Sequence, residues 1–264
     1  MSGATTVADF VRVEQLWGTA ISLRVCDAFD DSAADDVFGW FHHVDDVFST
    51  WRADTEISRL GRGELHLDDA SSEVREVLDL CERVRAESGG AFDVRVGADP
   101  RVTPREGLGP LDPSGLVKGW ALKRAAALLR ERGAHNFVIN AGGDVVTGGR
   151  PARDEPWRVG VQHPSMRDRV AMVLGVTDMG VATSGRNERG DHIVDPRTGL
   201  PATDVLAVTV VAADLALADG YATAALVLGH DGPAWLAAHG LAAAVITNDG
   251  VVTSTAALDA YRLQ

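Results

Sequence analysis

His135-Asn-Phe-Val-Ile-Asn-Ala-Gly-Gly-Asp-Val-Val-Thr147 is the stretch on which the reading of this chain turns. Its apolar, β-branched start reads as a strand, and adjacent glycines interrupt it before the apolar residues resume. Immediately upstream, residues 119–132 carry helical spacing and stop at Gly133, so a helix delivers the chain into an extended segment. Downstream, strands are expected over residues 157–162, 171–183 and 206–212, then helices over 214–228 and 233–239. The end is a hairpin by its turn chemistry: residues 242–246, the turn Thr247-Asn-Asp-Gly250, then residues 251–253. Toward the start, residues 16–25 read as a strand. Val37, Phe38, Phe41, Val44 and Val47 place a helix over 33–48, and Ser71-Ser72 and Gly89-Gly90 bracket another that begins at Glu73. Helices and strands interleave without a strict βαβ rhythm and without a low-complexity linker. The expectation is a single α+β domain, residues 1–264, of mixed sheets with helices and two lobes. No internal sequence repeat stands out.

The 264 residues, 45 % of them hydrophobic, suffice for a substantial core, and the formal charge of −13 argues against nucleic acid or anionic lipid as a non-specific partner. The opening segment, Met1 to Arg12, has no basic cluster followed by an apolar stretch, and no later run is long and apolar enough to span a bilayer. A soluble cytoplasmic protein is expected. Cys26 and Cys81 lie in apolar surroundings without CxxC spacing and read as buried thiols, not as a disulfide or thiolate metal site.

Four stretches carry chemical residue types. In Asn140-Ala-Gly-Gly-Asp144 the glycines would let backbone N–H groups approach a phosphate, although read alone the run is first a tight turn. Thr183-Ser-Gly185 closes a strand, and after it comes His192-Ile-Val-Asp-Pro-Arg-Thr-Gly199. A turn on Asp195-Pro196 with Gly199 left-handed explains part of that run; it leaves His192, suited to take a proton near neutral pH, and Arg197, a fork for phosphate oxygens. Asp219 and Thr223 stand one helical turn apart, two hard oxygen donors suited to Mg²⁺, or on spacing alone a surface acid and a back-bonded hydroxyl. The small apolar residues around them make that helix look buried, and a buried Asp needs a partner. Lys118, placed just before the expected helix, would favour an anion at the helix N-terminus, or be a solvated loop lysine.

Together these runs resemble the FAD:protein FMN transferases, the ApbE family. The matching pieces occur in the family's order: Trp17-Gly-Thr19, Thr55-Glu-Ile-Ser-Arg-Leu60, Gly90-Ala-Phe-Asp93, and Leu111-Asp112 through Gly115 to Lys118-Gly119. They continue with Asn140 to Asp144, Thr183 to Gly185, His192 to Gly199 and Ala218-Asp-Gly-Tyr-Ala-Thr-Ala224. The long His192 run is the most specific. The resemblance implies a T-fold-related, two-lobed fold with FAD in the cleft between the lobes. It implies Mg²⁺, or Mn²⁺, held by Asp219, Thr223 and a backbone carbonyl near Gly115. It places FAD against Trp17, Gly18, Thr19, Phe92, Asp93, Lys118, Asn140, Ala141, Gly142, Gly143, Asp144, Thr183, Ser184, Gly185, Asp195 and Thr198. His192 would accept the proton of an incoming Thr or Ser hydroxyl of an acceptor protein, Arg197 would offset charge on the transferring group, and AMP would leave. FAD pyrophosphatase and a flavin carrier are the competing readings.

The chain also departs from the family. Many members begin with a secretion or lipoprotein signal that is not seen here, the region of residues 97–111 is short, and Trp17 stands where methionine is usual. Residues 186–191 compress a longer loop. These features are similar to those of actinobacterial members, and none removes a proposed ligand.

Overall fold

Period-two patterning sets the first strands. Phe10–Leu16 (β1) alternates in exposure along its length and pairs antiparallel with Thr19–Val25 (β2) across the two-residue turn Trp17-Gly18. Phe137–Ala141 (β3) and Asp144–Gly148 (β4) repeat the device across Gly142-Gly143. All four turn residues have positive φ, the geometry that lets a two-residue hairpin follow the strand twist; glycine adopts it freely, whereas Trp17 does so under strain. The computed structural model of the chain describes residues 9–95, 110–152, 154–186 and 193–263.

Between β2 and β3 lie helices Ser32–Phe48 (α1), Glu56–Gly61 (α2), Ser72–Glu87 (α3) and Ser114–Glu131 (α4). The second half supplies Trp157–His163 (β5), Met166–Val176 (β6), Gly180–Gly185 (β7) and Val205–Ala212 (β8). Helices Leu215–Leu228 (α5) and Gly232–Ala238 (α6) follow, then strands Ala242–Thr247 (β9) and Val252–Ser254 (β10). Eight strands form one sheet in the order β1-β2-β3-β4-β7-β8-β9-β10, and β5 and β6 pair as a separate ribbon. The strand pairings are antiparallel throughout. Each half thus contributes a hairpin, then helices, then a second hairpin, and the halves meet where β4 pairs with β7. That topological repeat gives the two expected lobes, although no sequence repeat announces it.

Both faces of the central strands are covered, which is why β8 reads as a nearly continuous apolar run. Ile21, Leu23, Ile139, Val208, Val210 and Val245 face the helices in the main core. Val145, Val181, Val211 and Ala244 face the β5–β6 ribbon, packing on Trp157, Val161 and Leu174.

Three boundaries differ from expectation. Residues 16–25 are the end of one strand, a turn and a second strand, because Trp17 takes the left-handed conformation that turn residues usually supply. Residues 171–183 divide at Asp178, φ 55°, whose carboxylate accepts the Gly149 N–H at 2.9 Å. The helix expected from residue 119 begins at Ser114, because Asp112 Oδ1 accepts the Ser114 N–H at 3.0 Å and Pro113 sets the first turn; Lys118 therefore lies inside α4, not before it. Among the described residues no helix is long and apolar enough to cross a membrane.

Candidate active site

Helix α5 is buried nearly all round, as a helix apolar on every face must be, and Asp214 caps it by accepting the N–H groups of Ala216 and Leu217. Gly220, Ala222 and Ala224 keep its surface small, so α4 lies close against it. The contact is tightest at Gly119, where a Cβ atom would stand 2.9 Å from Cβ of Asp219 and overlap the Leu215 carbonyl oxygen. With no side chain in the way, the Gly119 N–H donates to Asp219 Oδ2 at 3.0 Å. One turn further along α5, Thr223 Oγ1 lies 2.9 Å from Ser184 Oγ of β7 and 3.5 Å from the Gly115 carbonyl in the first turn of α4. A carboxylate and a hydroxyl of α5 and a backbone carbonyl of α4 therefore line one corner.

Asp219 is 3 % exposed, and burial, reinforced by the negative charge of Asp144, pushes its carboxyl up to about 7; the Lys118 ammonium and the Gly119 N–H pull the other way. Asp144 is fully buried at the start of β4, accepts the Thr183 N–H at 2.9 Å and pairs with Lys118. Two buried carboxylates thus share one ammonium, an arrangement short of positive charge. A divalent cation fits it: the donors are hard oxygens, and Mg²⁺ takes few protein ligands and completes its shell with water and phosphate. Among the described residues there is no cluster of three or more His, Cys, Asp or Glu, so a softer, imidazole- or thiolate-rich metal centre is not what these residues build.

The corner opens into a cleft of about 920 Å³, large enough for a dinucleotide. Both glycine-bearing hairpin turns reach its wall: Trp17, Gly18 and Thr19 from β1–β2, and Gly142 from β3–β4. Gly142 must be glycine, because φ is 59° and a Cβ would press on Thr19. Phe92, Asp93, Gly115, Lys118, Thr183, Ser184, Gly185, Asp219 and Thr223 complete the lining foreseen from the sequence. Asn140, Ala141, Gly143 and Asp144 do not line it; Asn140 Oδ1 instead accepts the Gly143 N–H at 3.2 Å and shapes the turn. In the Asp195 turn, Ile193, Val194 and Pro196 face the cleft, while Asp195, Arg197 and Thr198 do not. Arg197 donates through Nε and Nη2 to Asp195 at 2.9 Å, which holds the Asp195 carboxyl below the usual carboxylate range; Thr198 Oγ1 accepts the Leu200 N–H. His192 lies outside the described residues.

Sequence reasoning missed one wall. The end of α1 and the residues after it contribute Val44, Asp45, Phe48, Thr50 and Trp51, and Trp51 stands 92 % exposed at the rim. A large aromatic just past the end of α1, within the polar run Ser49-Thr50-Trp51-Arg52, was the available signal. Neither cysteine takes part: both are free, and burial pushes the Cys26 thiol up to about 11 and the Cys81 thiol higher.

A helix-backed antiparallel sheet with a dinucleotide-sized cleft and a corner of oxygen donors is the class that this geometry defines. The chain belongs to the ApbE family, whose sequence profile matches residues 17–103 and 102–246. It is 28 % identical over 239 residues to a protein of Klebsiella pneumoniae named FAD:protein FMN transferase, covering 71 % of this chain and 68 % of that one. A Vibrio cholerae protein of the same name is 30 % identical over 236 residues, covering 71 % of each. Among solved structures, the flavin transferase ApbE from Vibrio cholerae matches with a TM-score of 0.81 at 24 % identity, over 96 % of this chain and 99 % of that one. The apo form of the Pseudomonas stutzeri flavinyl transferase ApbE matches with 0.83 at 24 %, over 96 % of each. At these identities the solved structures speak for the fold.

Proposed function

We propose that this chain transfers the FMN part of FAD to a Thr or Ser hydroxyl of an acceptor protein and releases AMP. The observation that carries this reading is the meeting of Asp219, Thr223 and the Gly115 carbonyl at the wall of a cleft sized for a dinucleotide, in a member of a family whose named relatives are FAD:protein FMN transferases. Asp219, Thr223 and Gly115 would hold Mg²⁺ or Mn²⁺, which supplies charge neutralisation at the pyrophosphate when bound. Exposed Trp51 and buried Phe92 offer aromatic surface to the ring systems of FAD, and Gly18, Thr19 and Gly142 let the dinucleotide approach the two turns closely.

The acceptor oxygen attacks the phosphorus on the riboflavin side. Its bond to that phosphorus forms as the bond to the bridging oxygen breaks, and the bridging oxygen leaves on AMP. The hydroxyl proton passes to His192, a role that rests on the sequence run around it. Arg197 is held two residues from Asp195 at the cleft margin and offsets charge on the transferring group once it turns from that partner.

The test is incubation of the protein with FAD, Mg²⁺ and an acceptor carrying an exposed Thr, followed by denaturing electrophoresis and flavin fluorescence. Fluorescence that stays with the acceptor, and disappears when its Thr is replaced by Ala, is the expected result. FMN and AMP release at a rate that no acceptor diverts would assign hydrolysis instead.

A further inference from the structure

Asp144 sits where a flavin-site residue was expected, yet no part of it lines the cleft. Its carboxylate is fully buried at the head of β4, one oxygen accepting the Thr183 N–H at 2.9 Å and the other pairing with the Lys118 ammonium. A buried carboxylate with those partners holds something in place, and what it holds is a cation beside the cleft. Lys118, with a side chain 26 % exposed, lines the cleft and precedes Gly119, the residue whose N–H donates to Asp219. The ammonium thus pairs with one acidic side chain while its charge also acts on a second, Asp219, whose carboxylate accepts the N–H of the next residue.

We propose that Asp144 is a positioning residue which occupies the Lys118 ammonium, so that the Asp219 carboxylate is left to a divalent cation. The inference rests on the cation site proposed above and extends it. Without an anion at 144, the lysine is left to Asp219, a carboxylate on which its charge already acts, and competes with the metal for it. Arrangements that orient a metal ligand from behind typically change affinity by about ten- to a hundredfold when broken. Asp144 would therefore act on the cation without touching it, FAD or the acceptor.

Asp144→Asn keeps the shape and the oxygen that receives the Thr183 N–H while removing the charge. The probe is Mn²⁺ alone, followed by loss of the free-ion electron paramagnetic resonance signal, so that no phosphate contact of Lys118 enters the reading. Asp144→Asn is expected to weaken Mn²⁺ binding about ten- to a hundredfold, with metal-free FAD affinity, read by flavin fluorescence, unchanged within about twofold. Adding Lys118→Met is expected to restore Mn²⁺ binding, because the competing ammonium is gone. A merely structural role would leave the double variant as weak as the single one, and that result overturns the proposal, as does an Asp144→Asn protein that binds Mn²⁺ like the wild type. Should Asp144→Asn alone fail to fold, the double variant, with no charge at either position, decides on its own: binding as tight as in the wild type supports the role, and binding about tenfold weaker or worse refutes it. Asp219→Ala separates the two readings. If it binds Mn²⁺ as the wild type does, the cation site falls and the role of Asp144 with it; if it does not and Asp144→Asn is unaffected, only the role of Asp144 falls.

Discussion

Gly119→Ala probes the α4–α5 contact on which the whole corner depends. A methyl group at residue 119 would overlap the Leu215 carbonyl oxygen and stand 2.9 Å from Cβ of Asp219, against ordinary contacts of 3.4–4 Å. Neither obstacle is the end of a flexible side chain, so the helices must separate by roughly 0.5–1 Å, and overpacking of this kind costs typically about 1–3 kcal/mol. Taking ~2 kcal/mol, the melting temperature of a chain of this size falls by about 4–8 °C. Separation also stretches the 3.0 Å bond from the Gly119 N–H to Asp219 and moves Asp219 and Thr223 together away from the Gly115 carbonyl. A misplacement approaching 1 Å is enough to lower turnover by about a hundredfold. The assay is thermal unfolding with and without Mg²⁺ and ADP, together with the rate of acceptor flavinylation. Wild type should be stabilised by the ligands, and the variant should melt lower and gain little from them. A Gly119→Ala protein that melts within about 1 °C of wild type and responds equally to Mg²⁺ would refute the packing argument.

Further outcomes follow from the same geometry. Asp219→Asn should abolish metal-dependent turnover while leaving the apoprotein folded. Because burial raises the folded-state carboxyl to about 7, above its unfolded value, the proton favours the folded form: the wild-type advantage over Asp219→Asn is full below about pH 4 and disappears as pH rises to 7. The span is on the order of 4 kcal/mol, and parallel stability curves for the two apoproteins across that window would contradict it. Thr223→Val keeps the shape and removes the hydroxyl that contacts Ser184, so Mg²⁺ affinity should fall while metal-free FAD affinity holds; unchanged metal titrations would remove Thr223 from the corner. Arg197→Ala breaks a surface pair worth only about 0–1 kcal/mol, so its melting temperature should barely move while flavinylation slows; a large loss of stability with normal turnover would reverse that assignment. Trp51→Ala removes a 92 % exposed ring, so stability should be untouched, while FAD binding weakens by about 1–3 kcal/mol through lost stacking; equal FAD affinity would take Trp51 out of the site.

Local chemistry made much of the architecture readable. Helix α3 is announced by Ser71, whose hydroxyl accepts the Val74 N–H; α5 matches the expected span but starts one residue later, with Asp214 as its cap. The terminal hairpin follows from Thr247-Asn-Asp-Gly250, where Gly250 has φ 82°. What failed depended on tertiary context. Trp17 carries no turn signal, and its left-handed backbone is tolerated because the ring packs edge-on against Phe41 at 5.3 Å. Residues 112–118 lie before the expected helix, yet it starts at Ser114 because Asp112 Oδ1 accepts the Ser114 N–H and Gly115 fits without a side chain against Phe92 and Thr223. In the site, the four-residue interval from Asp219 to Thr223 was visible as a shared helical face. The pairing of Lys118 with Asp144 was not, since it joins an α4 side chain to a strand 26 positions later through a sheet register that no local pattern encodes. The Trp51 wall escaped for the same reason: its place at the cleft is set by how α1 lies on α4.

The most direct measurement is an anomalous-scattering map from crystals soaked with Mn²⁺ and ADP. A single strong peak is expected within about 2.0–2.3 Å of an Asp219 carboxylate oxygen, Thr223 Oγ1 and the Gly115 carbonyl oxygen, facing the ADP phosphates. A peak elsewhere in the cleft, or phosphates bound there with no metal at those three oxygens, would contradict it.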